Sequence, residues 1–205
     1  TIDSGEGFDI NTGDNGIGIG DGGDDVLDSG EGSDANTGDN SIGDGNGGDD
    51  KINSGEGIDT NFGDNAGGDG DGGDDVIDTG DGDDINTGDN FQGSGNGGAD
   101  VMRSNAGADT NFGDNQLGIG NGGDDVIVSG DGADTNIGDN QLHIGNGGDD
   151  KIIAGQGDDK LTGGGGADTF SCGNGNDVVT DFNRAEGDKA AGDCENVQRG
   201  NAQNN

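Results

Sequence analysis

A period of 25 residues runs through most of this chain. The segment Gly-Gly-(Asp/Ala)-Asp recurs with that step, beginning at residues 22, 47, 72, 97, 122 and 147. The segment Asn-x-Gly-Asp-Asn keeps the same step, beginning at residues 11, 36, 61, 86, 111 and 136. A disordered chain has no need of a fixed period, whereas a solenoid requires one because each coil stacks in register on the next. The period therefore predicts a solenoid with about 25 residues in each coil.

Composition without the period would indicate disorder. The chain has 53 glycines, 45 acidic residues against 7 basic ones, a net charge of -38 and only 23% hydrophobic residues. Burial of so little apolar surface does not normally offset the entropy lost on ordering a chain. The charge excludes nucleic acid as a partner, and no apolar run of about 18 residues exists to span a membrane. With a single histidine, His143, and a small core, we expect a non-catalytic protein.

One repeat unit, residues 20–44, divides into two nonapeptides and a segment of seven residues. The first nonapeptide covers residues 20–28 and the second covers residues 29–37. In each, a glycine cluster predicts a turn and the residues after it predict a strand of about three residues. The segment 38–44 is then an insertion that follows every second nonapeptide. This division predicts an all-β coil.

The nonapeptides resemble the RTX (repeats-in-toxin) calcium-binding repeat, G-G-x-G-x-D-x-U-x, where U is a large apolar residue. Residues 163–171, Gly-Gly-Gly-Gly-Ala-Asp-Thr-Phe-Ser, fit this pattern at every specified position. Asp181 and Phe182 are similar to the D-F pair that often closes such arrays. The resemblance covers about residues 1–182. It implies a right-handed parallel β-solenoid similar to the RTX β-roll, secreted as an unfolded chain and folded by calcium outside the cell.

The chain departs from the RTX pattern in two ways: the insertion, which changes the expected width of the coil, and the asparagines of the second strand, which are described below. The seven-residue insertion predicts a coil wider than the usual two-sided roll, for which a three-sided coil is an alternative. It disappears near residue 154. We therefore predict a 25-residue-repeat solenoid over residues 1–153, tighter nonapeptide coils over 154–182, and a C-terminal cap and tail over 183–205.

The core expected from this pattern is thin. In the first strand of each unit the U residues are Leu27, Ile52, Ile77, Met102, Ile127 and Ile152. The insertion adds Ile17, Ile19, Leu117, Ile119, Leu142 and Ile144. Burying one such side chain contributes about 1.5–3 kcal/mol, while ordering the backbone costs about 1–2 kcal/mol for every residue. Another interaction must therefore stabilise the coils.

Calcium is the predicted source of that stability. Stacking aligns the last acidic residue of successive turns in ladders. Within a ladder, neighbouring carboxylates are about 5 Å apart and repel each other unless a cation lies between them. Glycine lets the turns adopt positive φ and direct carbonyl oxygens inward, and hard oxygen donors favour Ca²⁺. By resemblance to RTX sites, multiple calcium ions lie between successive turns, held by turn carbonyls and these aspartates. The predicted ligands are Asp9, Asp25, Asp34, Asp50, Asp59, Asp75, Asp84, Asp100, Asp109, Asp125, Asp134, Asp150, Asp159, Asp168 and Asp177.

The second strand of each unit carries asparagine where the RTX pattern has U. These residues are Asn11, Asn36, Asn61, Asn86, Asn111 and Asn136. If they face inward, their amides can bond each other and the following Gly-Asp-Asn turn in a structural ladder. In the alternative, the strand is flipped, with asparagine outward and its neighbours in the core.

With asparagine inward, an uncharged file of side chains is left on the outside of an acidic protein. Its members are Ile10, Thr12, Ala35, Thr37, Thr60, Phe62, Ile85, Thr87, Thr110, Phe112, Thr135 and Ile137. Such a face suggests association with a surface or with another copy. It is also similar to the Thr-x-Thr faces of calcium-dependent ice-binding solenoids, although the phenylalanines disturb such a surface. Strand propensity alone also explains Thr, Ile and Phe here.

Two further features complete the expectation. Cys172 and Cys194 are the only cysteines, and an even count in a secreted chain allows a disulfide between tail and cap. Thr1 begins in mid-coil, so an open end would let another coil stack on it. We therefore expect an extracellular structural or adhesive module, stacking end to end into filaments or displayed at the cell surface. A calcium-dependent ice-binding (antifreeze) protein and a secretion or folding module of a larger exoprotein are the alternatives.

Overall fold

The computed structural model describes residues 1–18, 20–67, 69–91, 95–116, 120–141 and 146–199. The regular structure of this part is entirely β-strand, in two parallel sheets that wind as a β-solenoid. No described helix is long and apolar enough to cross a membrane. His143 and the side chains of the predicted insertion core lie outside the described part of the chain: Ile17, Ile19, Leu117, Ile119, Leu142 and Ile144.

The first sheet contains the odd-numbered strands, one from each coil. In order they are β1 (Ile2–Asp3), β3 (Val26–Asp28), β5 (Lys51–Asn53), β7 (Val76–Asp78), β9 (Val101–Arg103), β11 (Val126–Asp131), β13 (Lys151–Gln156), β15 (Thr169–Asn174) and β17 (Lys189–Ala190). Leu27 pairs with Ile52 and Ile52 pairs with Ile77, so each coil aligns the same position of the repeat.

The second sheet contains the even-numbered strands. They are β2 (Ile10–Gly18), β4 (Ala35–Gly43), β6 (Thr60–Ala66), β8 (Ile85–Phe91), β10 (Thr110–Gln116), β12 (Thr135–Gln141), β14 (Lys160–Thr162), β16 (Val178–Phe182) and β18 (Asn196–Arg199). The strands that contain the insertion are longer than β14, which lacks it. The insertion therefore lengthens the second sheet, and the described strands form a two-sided coil in place of the three-sided alternative.

Among the described side chains, the hydrophobic core of the 25-residue coils is a column beneath the first sheet. Leu27, Ile52, Ile77, Met102, Ile127 and Ile152 are all buried, as the U positions predict. Beyond Ile152 the step shortens, because Ile152 pairs with Phe170, and Leu161 and Val179 then supply apolar residues from the second sheet as well. Among the described side chains, the apolar core is thus one residue per coil where the insertion is present, and Ala154, Leu161, Cys172 and Val179 enlarge it where the insertion is absent.

The inner face of the second sheet is polar over the 25-residue coils. The Nδ2 atom of Asn36 donates to Oδ1 of Asn61, at 2.9 Å, and also to the Ser29 hydroxyl oxygen, at 3.0 Å. The expectation that these amides bond the following Gly-Asp-Asn turn is wrong, because residues 38–40 continue β4 and form no turn. Serine hydroxyls across the coil, such as that of Ser29, accept hydrogen bonds from these amides instead.

The C-terminal residues extend the same two sheets. β17 pairs with β15, and β18 pairs with β16. Cys172 in β15 forms a disulfide with Cys194, which lies between β17 and β18, with 5.0 Å between their Cα atoms. The tail is thereby attached covalently to the last tight coil.

Candidate metal centre

Three columns of aspartates run along the solenoid, and each has its own place in the coil. We call the turns of the first and second nonapeptides of each unit the first and second turns. The first ladder consists of the last residue of each first turn: Asp25, Asp50, Asp75, Asp100, Asp125 and Asp150. The second ladder is the last residue of each second turn: Asp9, Asp34, Asp59, Asp84, Asp109, Asp134 and Asp159. The insert column lies in the strands of the second sheet: Asp14, Asp39, Asp64, Asp89, Asp114 and Asp139. Sequence reasoning predicted the two ladders as ligands and missed the insert column.

The first ladder is held by the backbone of neighbouring coils. Oδ1 of Asp75 accepts a hydrogen bond from the Asp50 N–H, at 2.7 Å, and Oδ1 of Asp100 accepts one from the Asp75 N–H, at 2.8 Å. Both side chains are buried, and the Oδ2 atom of each has no hydrogen-bond partner. One oxygen therefore fixes the carboxylate, and the other remains available to a cation.

The second ladder repeats this arrangement at the other turn. Oδ1 of Asp84 accepts from the Asp59 N–H, at 2.9 Å, and Oδ2 of Asp84 is buried without a hydrogen-bond partner. The turns themselves use left-handed glycines, with φ of +85° at Gly55 and +152° at Gly57. The predicted use of positive φ therefore holds for the second turns. It is wrong for the first turns, where Gly22 and Gly23 do not have positive φ.

The aspartates of the insert column stand beside the first turns. Oδ2 of Asp64 accepts a hydrogen bond from the Gly73 N–H, at 2.8 Å, while its Oδ1 has no partner and the side chain is buried. The signal for this column was present in the repeated Asn-x-Gly-Asp-Asn segment. It was overlooked because Gly-Asp-Asn is typical of a turn, and a turn would have placed the carboxylate in solvent.

Carboxylates of the insert column and the first ladder meet in groups of three. In each group one oxygen from every residue lies within 4.8 Å of the others. The groups are Asp14/Asp25/Asp39, Asp39/Asp50/Asp64, Asp64/Asp75/Asp89, Asp89/Asp100/Asp114 and Asp114/Asp125/Asp139. The tighter coils continue the ladders, since Asp168 and Asp177 accept from the Asp150 and Asp159 N–H groups, at 3.0 and 2.9 Å.

The electrostatic environment disfavours the charged carboxylates in the absence of a cation. Burial, followed by repulsion from Asp100 and Asp64, raises the pKa of Asp75 to about 11. In the second ladder, burial raises the pKa of Asp84 only to about 6. The difference arises because the Asp75 carboxyl is more deeply buried than that of Asp84, and because the insert column adds acidic neighbours to the first ladder. The buried carboxylates of both ladders must therefore be neutralised, either by protons or by cations.

The donor set fits calcium. The buried oxygens without hydrogen-bond partners are carboxylate oxygens, the hard ligands that Ca²⁺ takes in groups of six to eight together with backbone carbonyls and water. The described residues offer no cluster of cysteine and histidine ligands of the kind that zinc prefers. Stacked turns with buried carboxylates of this kind define a calcium-binding β-solenoid.

Comparison with known families gives the same class. A family model of the RTX calcium-binding nonapeptide repeat matches four copies in this chain, at residues 19–35, 94–110, 119–135 and 144–179. These segments are RTX repeats, which confirms the resemblance found in the sequence, and the protein binds multiple calcium ions through them. No curated protein sequence matches the chain.

The uncharged file predicted on the outside of the second sheet is only partly exposed. Ile10 is 72% exposed and Ile85 is 47% exposed, whereas most of the threonines are half-buried. The prediction that Thr87 is exposed is wrong, because only 2% of its surface is accessible. It pairs in register with Phe62 on one side and Phe112 on the other, and these larger side chains flank it. The file is therefore uneven.

Proposed function

We propose that this protein is a secreted, non-catalytic structural module whose coils form when calcium binds. The observation that carries this proposal is the row of buried carboxylate oxygens without hydrogen-bond partners in every 25-residue coil. With a net charge of -38, the chain needs cations before it can compact. Cytosolic calcium is scarce and extracellular calcium is abundant, so folding would follow export. RTX repeats are in addition a structural, non-catalytic kind of domain.

Limited proteolysis at cytosolic and at extracellular calcium levels tests this proposal. We expect cleavage throughout the chain at the low level and protection of residues 26–182 at the high level, because only the calcium-bound coils are compact. Magnesium at the same concentration is the control, since it demands octahedral geometry and retains its waters. Equal protection at both calcium levels would contradict a module that folds after export.

The adhesive part of the proposal rests on the outer face of the second sheet. Ile10, Phe62, Ile85 and Phe112 lie there on strands β2, β6, β8 and β10 of an otherwise acidic protein. An apolar file of this length is suited to contact with a second copy or a cell-surface partner. Stacking into filaments belongs to the same proposal, because a solenoid coil offers the N–H and C=O groups of its outer strand to another coil.

Sedimentation and electron microscopy in calcium test this association. We expect concentration-dependent oligomers or fibres, and we expect the double variant Phe62→Lys/Phe112→Lys to weaken lateral association. The matched control is Ile58→Lys, because Ile58 is 63% exposed but precedes β6 and is not a member of the file. A wild-type chain that stays monomeric at high concentration would remove both the filament and the self-adhesive interpretations.

Ice binding is the second candidate, favoured by the in-register file itself. Thr110 pairs with Thr135, and both are partly exposed on one face of a parallel sheet. The buried Thr87 between two phenylalanines counts against it, because an ice-binding face is regular. Thermal hysteresis in calcium decides the matter. If activity is present, Thr110→Arg/Thr135→Arg abolishes it without altering calcium-dependent folding, and a wild-type chain without hysteresis excludes this function.

A further inference from the structure

We propose that the insert column makes the five first turns that end at Asp25, Asp50, Asp75, Asp100 and Asp125 three-carboxylate cation sites, in which every internal insert aspartate is shared by two successive ions. The ligands of one site are two insert aspartates, one coil apart, and the first-ladder aspartate between them. The insert column lies outside the nonapeptides, so the RTX pattern does not assign it. The inference rests on the calcium binding of the RTX repeats and specifies further ligands for it.

The group Asp64, Asp75 and Asp89 shows the geometry. One oxygen from each lies within 4.8 Å of the other two. Oxygens bound to one Ca²⁺ at 2.3–2.6 Å are separated by at most about 5 Å, so a single ion can contact all three. All three side chains are buried, and Asp64 Oδ1, Asp75 Oδ2 and Asp89 Oδ1 have no hydrogen-bond partner. These unpartnered oxygens are what distinguishes the group from an acidic surface.

Sharing follows from the membership of successive groups. Asp89 belongs both to the group with Asp75 and to the group with Asp100, whereas Asp75 belongs to one group only. The Asp89 carboxylate is fixed by the Gly98 N–H, which donates to its Oδ2 at 2.5 Å. The sites therefore form a continuous row, and loss of one insert aspartate affects two of them.

Glycines keep the space for these carboxylates. A Cβ added at Gly72 would overlap the Asp89 carboxylate, and one added at Gly88 would overlap the Asp100 carboxylate. Neither glycine has a left-handed φ, so backbone conformation does not explain the choice of residue. Close approach of the carboxylate does explain it, and the same overlaps recur at Gly47 with Asp64.

This row has more negative charge per coil than the second ladder. Each coil adds one first-ladder and one insert carboxylate to the row, and one divalent cation neutralises the two. The second ladder adds one carboxylate per coil, so a divalent cation there depends more on neutral carbonyls. Affinity for calcium rises with the number of charged ligands. The first-turn row therefore binds its cations more tightly and releases them last during chelation.

The test counts tightly bound calcium on the full chain by equilibrium dialysis, with terbium luminescence as a second probe. We expect Asp89→Asn to lose two tight sites per chain and Asp100→Asn to lose one. Asp81→Asn is the control and should leave the tight class unchanged, because Asp81 is exposed and belongs to none of the groups. An unchanged number of tight sites in Asp89→Asn would overturn the proposal.

A terminal variant keeps the test decisive if Asp89→Asn fails to fold. Asp14 is exposed and belongs only to the group with Asp25 and Asp39. Asp14→Asn should therefore fold in calcium and lose one tight site, and retention of every tight site would contradict the shared row. Failure of the wild-type chain to bind calcium would instead count against the proposed function as a whole.

Discussion

The side-chain Nδ2 of Asn86 donates a 2.9 Å hydrogen bond to the side-chain Oδ1 of Asn111 on the next coil, and both residues are fully buried. The same relationship joins Asn61 to Asn86 and Asn111 to Asn136. Because each amide is both donor and acceptor along the axis, a coil shifted by one residue would leave two buried amides without partners. The ladder thus fixes the register of the second sheet over the 25-residue coils, where the described inward side chains of this sheet are polar.

Replacing one rung of this ladder should be costly. Asn86→Leu removes the bonds to Asn61 and Asn111 and leaves a buried donor and a buried acceptor unsatisfied, at a cost of about 1–3 kcal/mol for each. We expect a lower denaturant midpoint in saturating calcium. Asn53→Leu is the matched control because Asn53 is exposed. Equal midpoints for the two variants would show that the ladder contributes nothing to stability.

The apolar column should respond as a well-packed core. Ile77 is fully buried between Ile52 and Met102. Ile77→Ala removes contacts on both sides and should lower the free energy of unfolding in calcium by about 2–5 kcal/mol. Val76→Ala, on the half-buried side of the same strand, should cost much less. Chemical denaturation monitored by circular dichroism measures both, and comparable losses would contradict a core confined to the U column.

The effect of pH should depend on whether calcium is present. Burial raises the pKa of Asp50 to about 8 and that of Asp84 to about 6, from 3.8 in an unfolded chain. Without calcium, the folded chain therefore binds more protons than the unfolded chain between these values, so its stability falls as pH rises from about 4 to 8. In calcium the protons compete with the cation, and the calcium required for folding should increase as the pH falls.

Far-UV circular dichroism in chelator across this pH range measures the first effect. We expect β-structure near the acidic limit and its loss near neutrality. A calcium titration at two pH values measures the second. Calcium-free β-structure that persists unchanged to high pH would show that the buried carboxylates do not control folding.

Much of the fold could be predicted because its signals are periodic. Leu27 and Ile52 are flanked by turn glycines at a constant step, so both the strand and its buried side followed from the sequence. The two aspartate ladders, to which Asp34 and Asp50 belong, could be predicted because their aspartates recur with the same constant step. RTX resemblance then supplied calcium, which composition and spacing do not name by themselves.

What the sequence could not provide depends on packing between segments distant in a coil. Asp39 lies in a segment typical of a turn, yet neighbouring strands extend β4 through it and bury its carboxylate against Gly22. Thr87 follows the same pattern as Thr12 and Thr37, and the period already places a phenylalanine one coil away on each side, but only the structure shows that Thr87 is buried between them. Local propensity was outweighed in both cases by pairing with the adjacent coils.

The disulfide should stabilise the C-terminal coils. Cys172 and Cys194 are separated by 22 residues, and closing a loop of this size restricts the unfolded chain by about 3 kcal/mol. Cys172→Ser/Cys194→Ser should therefore increase hydrogen exchange in residues 169–199, with little change near β4. Uniform destabilisation of the whole solenoid, or none anywhere, would contradict a local cross-link of the tail.

Removal of calcium is the most direct test of the entire account. Buried aspartates in three columns repel one another, and the one buried apolar side chain in the described part of each 25-residue coil is too little to hold them together. The chelated chain at neutral pH should therefore expand and lose its β-spectrum. Small-angle scattering and circular dichroism on one sample, before EDTA, after EDTA and after added calcium, measure this. We predict a reversible change from a compact rod to an expanded chain, not restored by magnesium. A rod of unchanged dimensions and spectrum in EDTA would contradict the account.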